Sequence, residues 1–263
     1  MAKIIEVSNA SYSYNGKEYI WQDVNLDVEQ GDSVCILGAN GCGKTTLFNC
    51  IAGNFQLAKG YIKIDGKPIK DYSITELAKT IGIVYQEHSV SFPYKSIEVV
   101  RMGRTPYLGM FQTPSQADTD MAYSIMEEMG IAHLAEKPYS RISGGQRQLV
   151  LIARTLCQTP KAILFDEPTS HLDFKNQALV MKTLRNLSAK GMTIIMTSHS
   201  PAHAWQVSTN TVLMGKGGII AQGAPKDVMT SENLEKTYDV KVKIHKSEID
   251  DGAFFCEPAF EEF

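Results

Sequence analysis

The sequence predicts an α/β fold: a mostly parallel sheet, an antiparallel β-subdomain at the N-terminal end and an inserted α-helical subdomain. Three observations predict it. Continuous apolar runs at 32–37, 81–85, 162–165 and 193–197 have the length and β-branched content of buried central strands. A helical pattern follows the first run at 45–52 and another separates the last two at 175–189, so the strands need crossovers and lie parallel. From about residue 96 to 158 the β-runs disappear and helical patterns replace them, which marks an insertion.

Taken in order, residues 4–7 and 23–28 alternate apolar and polar side chains, as half-buried antiparallel strands do. The strand at 32–37 runs directly into Gly-Ala-Asn-Gly-Cys-Gly-Lys-Thr-Thr at 38–46, and the helix after it stops at Gly53. The strand at 81–85 leads to Gln86. Helices are expected at 96–102, 115–129 and 144–157, with Pro93, Pro106, Pro114 and Pro138 punctuating the region. Residues 211–214 and 219–222 read as a terminal hairpin, followed by short helices and a less regular end. The expected division is one domain over 1–263: a core of 1–90 and 158–240, a helical subdomain of 91–157 and a tail of 241–263.

The chain has 263 residues, 43% of them apolar, enough for a sizeable core. Its 26 basic and 29 acidic residues leave a net charge of −3, which argues against nucleic acid as a partner. No apolar run approaches the roughly 20 residues that span a bilayer. The start, Met-Ala-Lys-Ile-Ile-Glu-Val, lacks a signal-peptide core. A cytoplasmic location is expected, with any membrane role exercised through a partner. Cys35, Cys42, Cys50, Cys157 and Cys256 are odd in number and form no CxxC pair, so free thiols are expected.

Two stretches have phosphate-binding character. Residues 38–45 match G-x-x-x-x-G-K-[ST] between a buried strand and a helix, the context that gives the match its weight. Gly38, Asn40, Gly41, Cys42 and Gly43 would supply backbone N–H groups around a β-phosphate, backed by the positive end of the helix. Lys44 would bridge β- and γ-phosphates, Thr45 would bind Mg²⁺ and Thr46 would add a phosphate contact. Ser143-Gly144-Gly145-Gln146 opens a helix with a good N-cap and two glycines whose N–H groups can meet an anion; alone it signals little more than a capped helix. The strand at 162–165 ends in Asp166 and Glu167, placed to hold Mg²⁺ and to polarise an attacking water. His199 follows the strand at 193–197, at the edge of a parallel sheet where ligands bind. The other five histidines, His88 and His171 among them, are expected to be ordinary surface or core residues.

This ordered set of motifs resembles the ATP-binding-cassette family, and the likeness spans essentially the whole chain. It implies a P-loop NTPase (RecA-like) core that binds and hydrolyses ATP with Mg²⁺. Tyr14 matches the aromatic residue that stacks on adenine, with Tyr12 as the alternative. Gln86 matches the Q-loop glutamine, which contacts Mg²⁺ and senses the transmembrane partner. Residues 142–146 match the signature usually written LSGGQ, with Ile142 in place of Leu. Asp166 and Glu167 match the Walker B pair, Asp173 the D-loop and His199 the switch histidine. The resemblance implies a head-to-tail dimer of two copies around two ATP, transmembrane permease subunits, and indirectly an extracytoplasmic substrate-binding protein. The Gly103-Arg-Thr-Pro stretch is similar to importers of iron–siderophore, haem and cobalamin; importers of molybdate/tungstate or another metal ion are the alternative, and a soluble non-transport ATPase a second one.

Overall fold

The computed structural model describes residues 2–86, 93–109, 111–246 and 254–259. The antiparallel part comes first, with β1 (Lys3–Tyr12) paired to β2 (Trp21–Glu29). Then β3 (Ser33–Gly38), buried along its length, feeds the Gly-rich turn and α1 (Lys44–Ile51). The chain returns to the antiparallel sheet through β4 (Lys59–Ile64) and β5 (Lys67–Pro68), completing the order β2-β1-β4-β5. α2 (Ile74–Thr80) and β6 (Ile81–Val84) bring it to Gln86.

The helical part holds α3 (Ser96–Arg101), a 3₁₀ turn at Met102–Tyr107, α4 (Gln116–Glu128) and α5 (Gly144–Cys157). After it, β7 (Ala162–Phe165), α6 (Phe174–Ala189), β8 (Thr193–Ser198) and α7 (Pro201–Val207) alternate. β9 (Asn210–Gly215) and β10 (Gly218–Gly223) follow, then α8 (Pro225–Val228) and α9 (Ser231–Tyr238). β11 (Val242–Lys246) and β12 (Phe254–Pro258) close the described chain.

The main sheet has the order β10-β9-β3-β8-β7-β6, all parallel except β10. β8 therefore lies between β3 and β7, in register Leu37↔Ser198 and Phe165↔Met196. The segments leaving β3, β7 and β8 must converge at one sheet edge, the side on which parallel sheets bind ligands. Alternating side chains serve two cores, because successive strand residues point to opposite faces. Leu37, Phe165 and Met196 join the helical part; Ile36, Leu164 and Ile195 join α1 and the antiparallel sheet.

Several expectations need correction. Within the described residues the end is more regular than expected: β11 and β12 pair antiparallel, and Val242, Ile244 and Cys256 pack on the main core. The helix expected at 96–102 ends at Arg101 and tightens into 3₁₀ geometry before Pro106, which cannot donate an intrahelical bond. α1 begins at Lys44, α4 spans one residue less at each end than expected, and α6 begins at Phe174. β4, β5, α2 and α7 add elements where none was expected. His88 and the tail residues 247–253 and 260–263 lie outside the described residues. Among the described residues no helix is long and apolar enough to cross a membrane.

The Gly103-Arg-Thr-Pro stretch fastens the helical part together. A Cβ on Gly103 would meet the Arg154 carbonyl oxygen and stand 3.0 Å from Cys157 Cβ. Arg104 pairs with Asp118 at 3.0 Å, donates to the Cys157 carbonyl at 3.1 Å and lies 4.0 Å over the Tyr107 ring. Gly103→Ala should therefore cost about 2 kcal/mol, the scale of overpacking a closed contact. Urea unfolding of the variant against the parent protein measures it; an unchanged midpoint would show that the contact opens freely.

Candidate active site

The Gly-rich turn is shaped by its glycines. Gly41 (φ 80°) and Gly43 (φ 102°) adopt left-handed conformations that other residues resist. At Gly38 a Cβ would stand 2.6 Å from the Met214 carbonyl oxygen, so only glycine lets β3 leave the sheet beside β9. Nothing lies within 4 Å of a Cβ built on Gly41, so the outer rim is open. Asn40 and Thr45 are exposed, whereas Cys42, Lys44 and Thr46 are buried. Lys44 Nζ donates to the carbonyls of Gly38 (2.9 Å) and Ala39 (3.1 Å) and stands 3.9 Å from Glu167 Oε1.

Across the turn, Asp166 and Glu167 leave β7. Thr197 of β8 ties them together: its hydroxyl donates to Asp166 Oδ1 at 2.7 Å and accepts from the Glu167 N–H at 3.0 Å. The Glu167 carbonyl accepts from the Ser170 N–H and hydroxyl at 3.0 and 2.8 Å. These bonds hold Glu167 at φ 43°, a left-handed conformation that costs a non-glycine residue roughly 1 kcal/mol or more. Burial pushes the Asp166 carboxyl above the usual carboxylate range and Glu167 adds to this, while the Thr197 hydrogen bond and Lys44 oppose it.

His199 stands after β8, with Nδ1 3.4 Å from Glu167 Oε2. Asn40, Gln86, Glu167 and His199 line one cavity of about 450 Å³. His171 lines it too, at φ 60° and with Nε2 3.4 Å from Gln86 Nε2. It thus belongs to the site region rather than to the ordinary surface, and only its place between Asp166 and Asp173 hinted at this.

Tyr14 and Tyr12 differ in what they offer. Tyr14 is 65% exposed and its hydroxyl lies 3.1 Å from Thr46 Oγ1. Tyr12 is buried, packed against Tyr14, Trp21 and Phe55.

Ser143, Gly144, Gly145 and Gln146 form a separate unit. Ser143 and Gln146 make a reciprocal capping box at the start of α5, with bonds of 3.3 and 3.1 Å. Gly145 is buried where a Cβ would collide with Asn176, and Asn176 is held at 2.8 and 2.9 Å by Asp173, the N-cap of α6. Among the described residues no hydrogen bond links residues 143–146 to the Lys44 turn.

The oxygen donors at the sheet edge suit Mg²⁺. Thr45, Asp166 and Gln86 offer the hard oxygens that such an ion takes. All five cysteines are free, four of them buried.

A Gly-rich strand–helix turn whose lysine faces a strand-end carboxylate pair defines a P-loop nucleoside triphosphatase. Residues 21–170 match the ABC transporter family, and the chain belongs to that family as an ATP-binding subunit with ATPase activity. The molybdate import ATP-binding protein MolC of Haemophilus influenzae is 34% identical over 235 residues, 89% of this chain and 87% of its own. The hemin import ATP-binding protein HmuV of Hahella chejuensis is 34% identical over 231 residues, 85% and 88% of the two chains. A solved chain described as part of a metal-chelate type ABC transporter in an inward-facing conformation superposes with a TM-score of 0.86, at 32% identity and over 98% of both chains.

His203 of α7 adds a pH-dependent element beside the site. Ser198 Oγ lies 2.8 Å from its Nδ1. Burial pushes the imidazole down to about 4, helped by nearby His199 and opposed by Glu167. The unfolded chain then binds a proton that the folded one refuses, so this contribution to stability is complete above about pH 6.5 and is lost as pH falls from there towards about 4. Melting temperatures should fall between about pH 7 and about pH 5, and fall less in His203→Gln. Equal slopes for the two proteins would rule out His203 as the source.

Proposed function

We propose that the chain is the ATPase subunit of an importer that takes up a metal chelate such as an iron–siderophore, haem or cobalamin. It works at the cytoplasmic face of the membrane, held there by permease subunits that an extracytoplasmic binding protein supplies. The observation that carries this reading is the agreement with the metal-chelate type transporter over 98% of both chains. The hemin relative supports the same cargo class. An oxyanion importer is the second reading, favoured by the equally similar molybdate relative.

Two copies pack head to tail in this reading, each ATP lying between one copy's Lys44 turn and the other's Ser143–Gln146 segment. The capped, glycine-lined start of α5 suits a phosphate, since the Gly144 and Gly145 N–H groups and the positive end of the dipole lie at this helix terminus. Tyr14 stacks on adenine, for which its exposure beside Thr46 is suited. Thr45, Asp166 and Gln86 would hold Mg²⁺, which neutralises charge on the β- and γ-phosphates when bound. Glu167 polarises the attacking water and His199 contacts the γ-phosphate; their separation of 3.4 Å lets the imidazole orient the carboxylate. Asp173 sets the position of Asn176 against Gly145 and so steadies the start of α5.

Lys44→Ala should weaken ATP binding by roughly 10-fold or more, the cost of losing a charged phosphate contact. Glu167→Gln should retain binding, lower turnover by about 100-fold or more and accumulate an ATP-bound dimer. Nucleotide titration, phosphate release and sizing of the purified protein with ATP check these. Wild-type turnover in Glu167→Gln would remove the base assignment. Uptake of ferric chelates, haem, cobalamin and molybdate in vesicles holding the purified complex decides the cargo: molybdate alone would select the second reading.

A further inference from the structure

His199 stands between two cavities. On one side it faces Glu167. On the other it lines a smaller, mostly apolar cavity of about 180 Å³ with Pro201, Tyr238, Val242, Cys256 and Pro258. The last three belong to the C-terminal hairpin of β11 and β12.

The same hairpin grips the helix that follows His199. α7 starts at Pro201 and has seven residues, too few to be stable without packing. Ala204 and Val207 are buried against the body of the protein. Trp205 stacks on Phe254 of β12, with ring centroids 4.7 Å apart and planes inclined by 31°. The hairpin is itself fixed, by pairing from Val242↔Pro258 to Lys246↔Phe254, by an Ala259 N–H bond to the Lys241 carbonyl at 2.8 Å, and by Val242, Ile244 and Cys256 against the main core. A brace packed on the main core thus reaches a short helix whose first residue lies two positions after His199.

We propose that the C-terminal hairpin is a positioning element for His199. Through the Trp205–Phe254 stack it fixes α7, and α7 fixes where the imidazole stands relative to Glu167. Trp205 and Phe254 touch no reacting atom; they set the orientation of a residue that does. The proposal rests on the reading of His199 as the γ-phosphate contact.

The test is ATP hydrolysis by the purified permease complex carrying substitutions on either side of the stack. Trp205→Ala and Phe254→Ala should each lower kcat by about three- to tenfold, the rate equivalent of an aromatic pair, with KM for ATP changed by less than about twofold. Trp205→Phe should restore most of the rate. In a His199→Ala background Trp205→Ala should have no further effect, because both changes act through one group. Wild-type kcat in Phe254→Ala and Trp205→Ala, with His199→Ala impaired, would overturn the hairpin's role while leaving that of His199 intact. A further loss from Trp205→Ala in the His199→Ala background would also overturn it. Wild-type turnover in His199→Ala would instead remove the reading of His199 on which the proposal stands.

Discussion

The hydroxyl of Thr197 is the contact on which the rest of the site depends. It lies on β8, between the strand that leads to Lys44 and the strand that ends in Asp166 and Glu167. Donating to the Asp166 carboxylate and accepting from the Glu167 N–H, it fixes one side chain and the peptide group of the next residue at the same point. The joint is buried, so each bond is made in a medium where an unpaired group is costly. Glu167 holds its left-handed backbone only because Thr197 and Ser170 grip its peptide groups from either side. Its carboxylate thereby faces both Lys44 and His199.

The start of α5 is built by different means. Ser143 and Gln146 satisfy each other's backbone groups at the start of α5, while Gly145 lets α6 approach closely enough for Asn176 to touch it. Asp173 caps α6 and holds Asn176. The segment after the Asp166–Glu167 pair is therefore coupled to the signature helix by packing within a single chain. A movement of α6 would be felt at both, because Asn176 on α6 touches Gly145 on α5 and is held by Asp173.

Much of this was legible in the sequence because it is local. The turn at 38–46, the apolar strand before Asp166 and the cap at Ser143 each need only a few consecutive residues to be recognised. Two further elements have local signals as well: Ser73 and Glu76 form a capping box at the start of α2, and Pro201 opens α7 in the first-turn position that suits proline. What could not be read is long-range. Nothing near Thr197 in sequence says that it faces Asp166, 31 residues away. Trp205 and Phe254 meet only because α7 and the hairpin fold onto the same core, and His171 reaches Gln86 across 85 residues. The tail looked irregular because its strands are short, half-exposed and separated by a long connection.

The most direct test of this account is Thr197→Val, which keeps the shape of the side chain and removes the hydroxyl. ATP turnover by the purified complex should fall about tenfold or more, because the Glu167 N–H and Asp166 lose a shared partner at a cost of about 1–3 kcal/mol. ATP affinity should stay within about twofold, since the Lys44 turn is untouched. Turnover at the wild-type rate would contradict the claim that this hydroxyl organises the site.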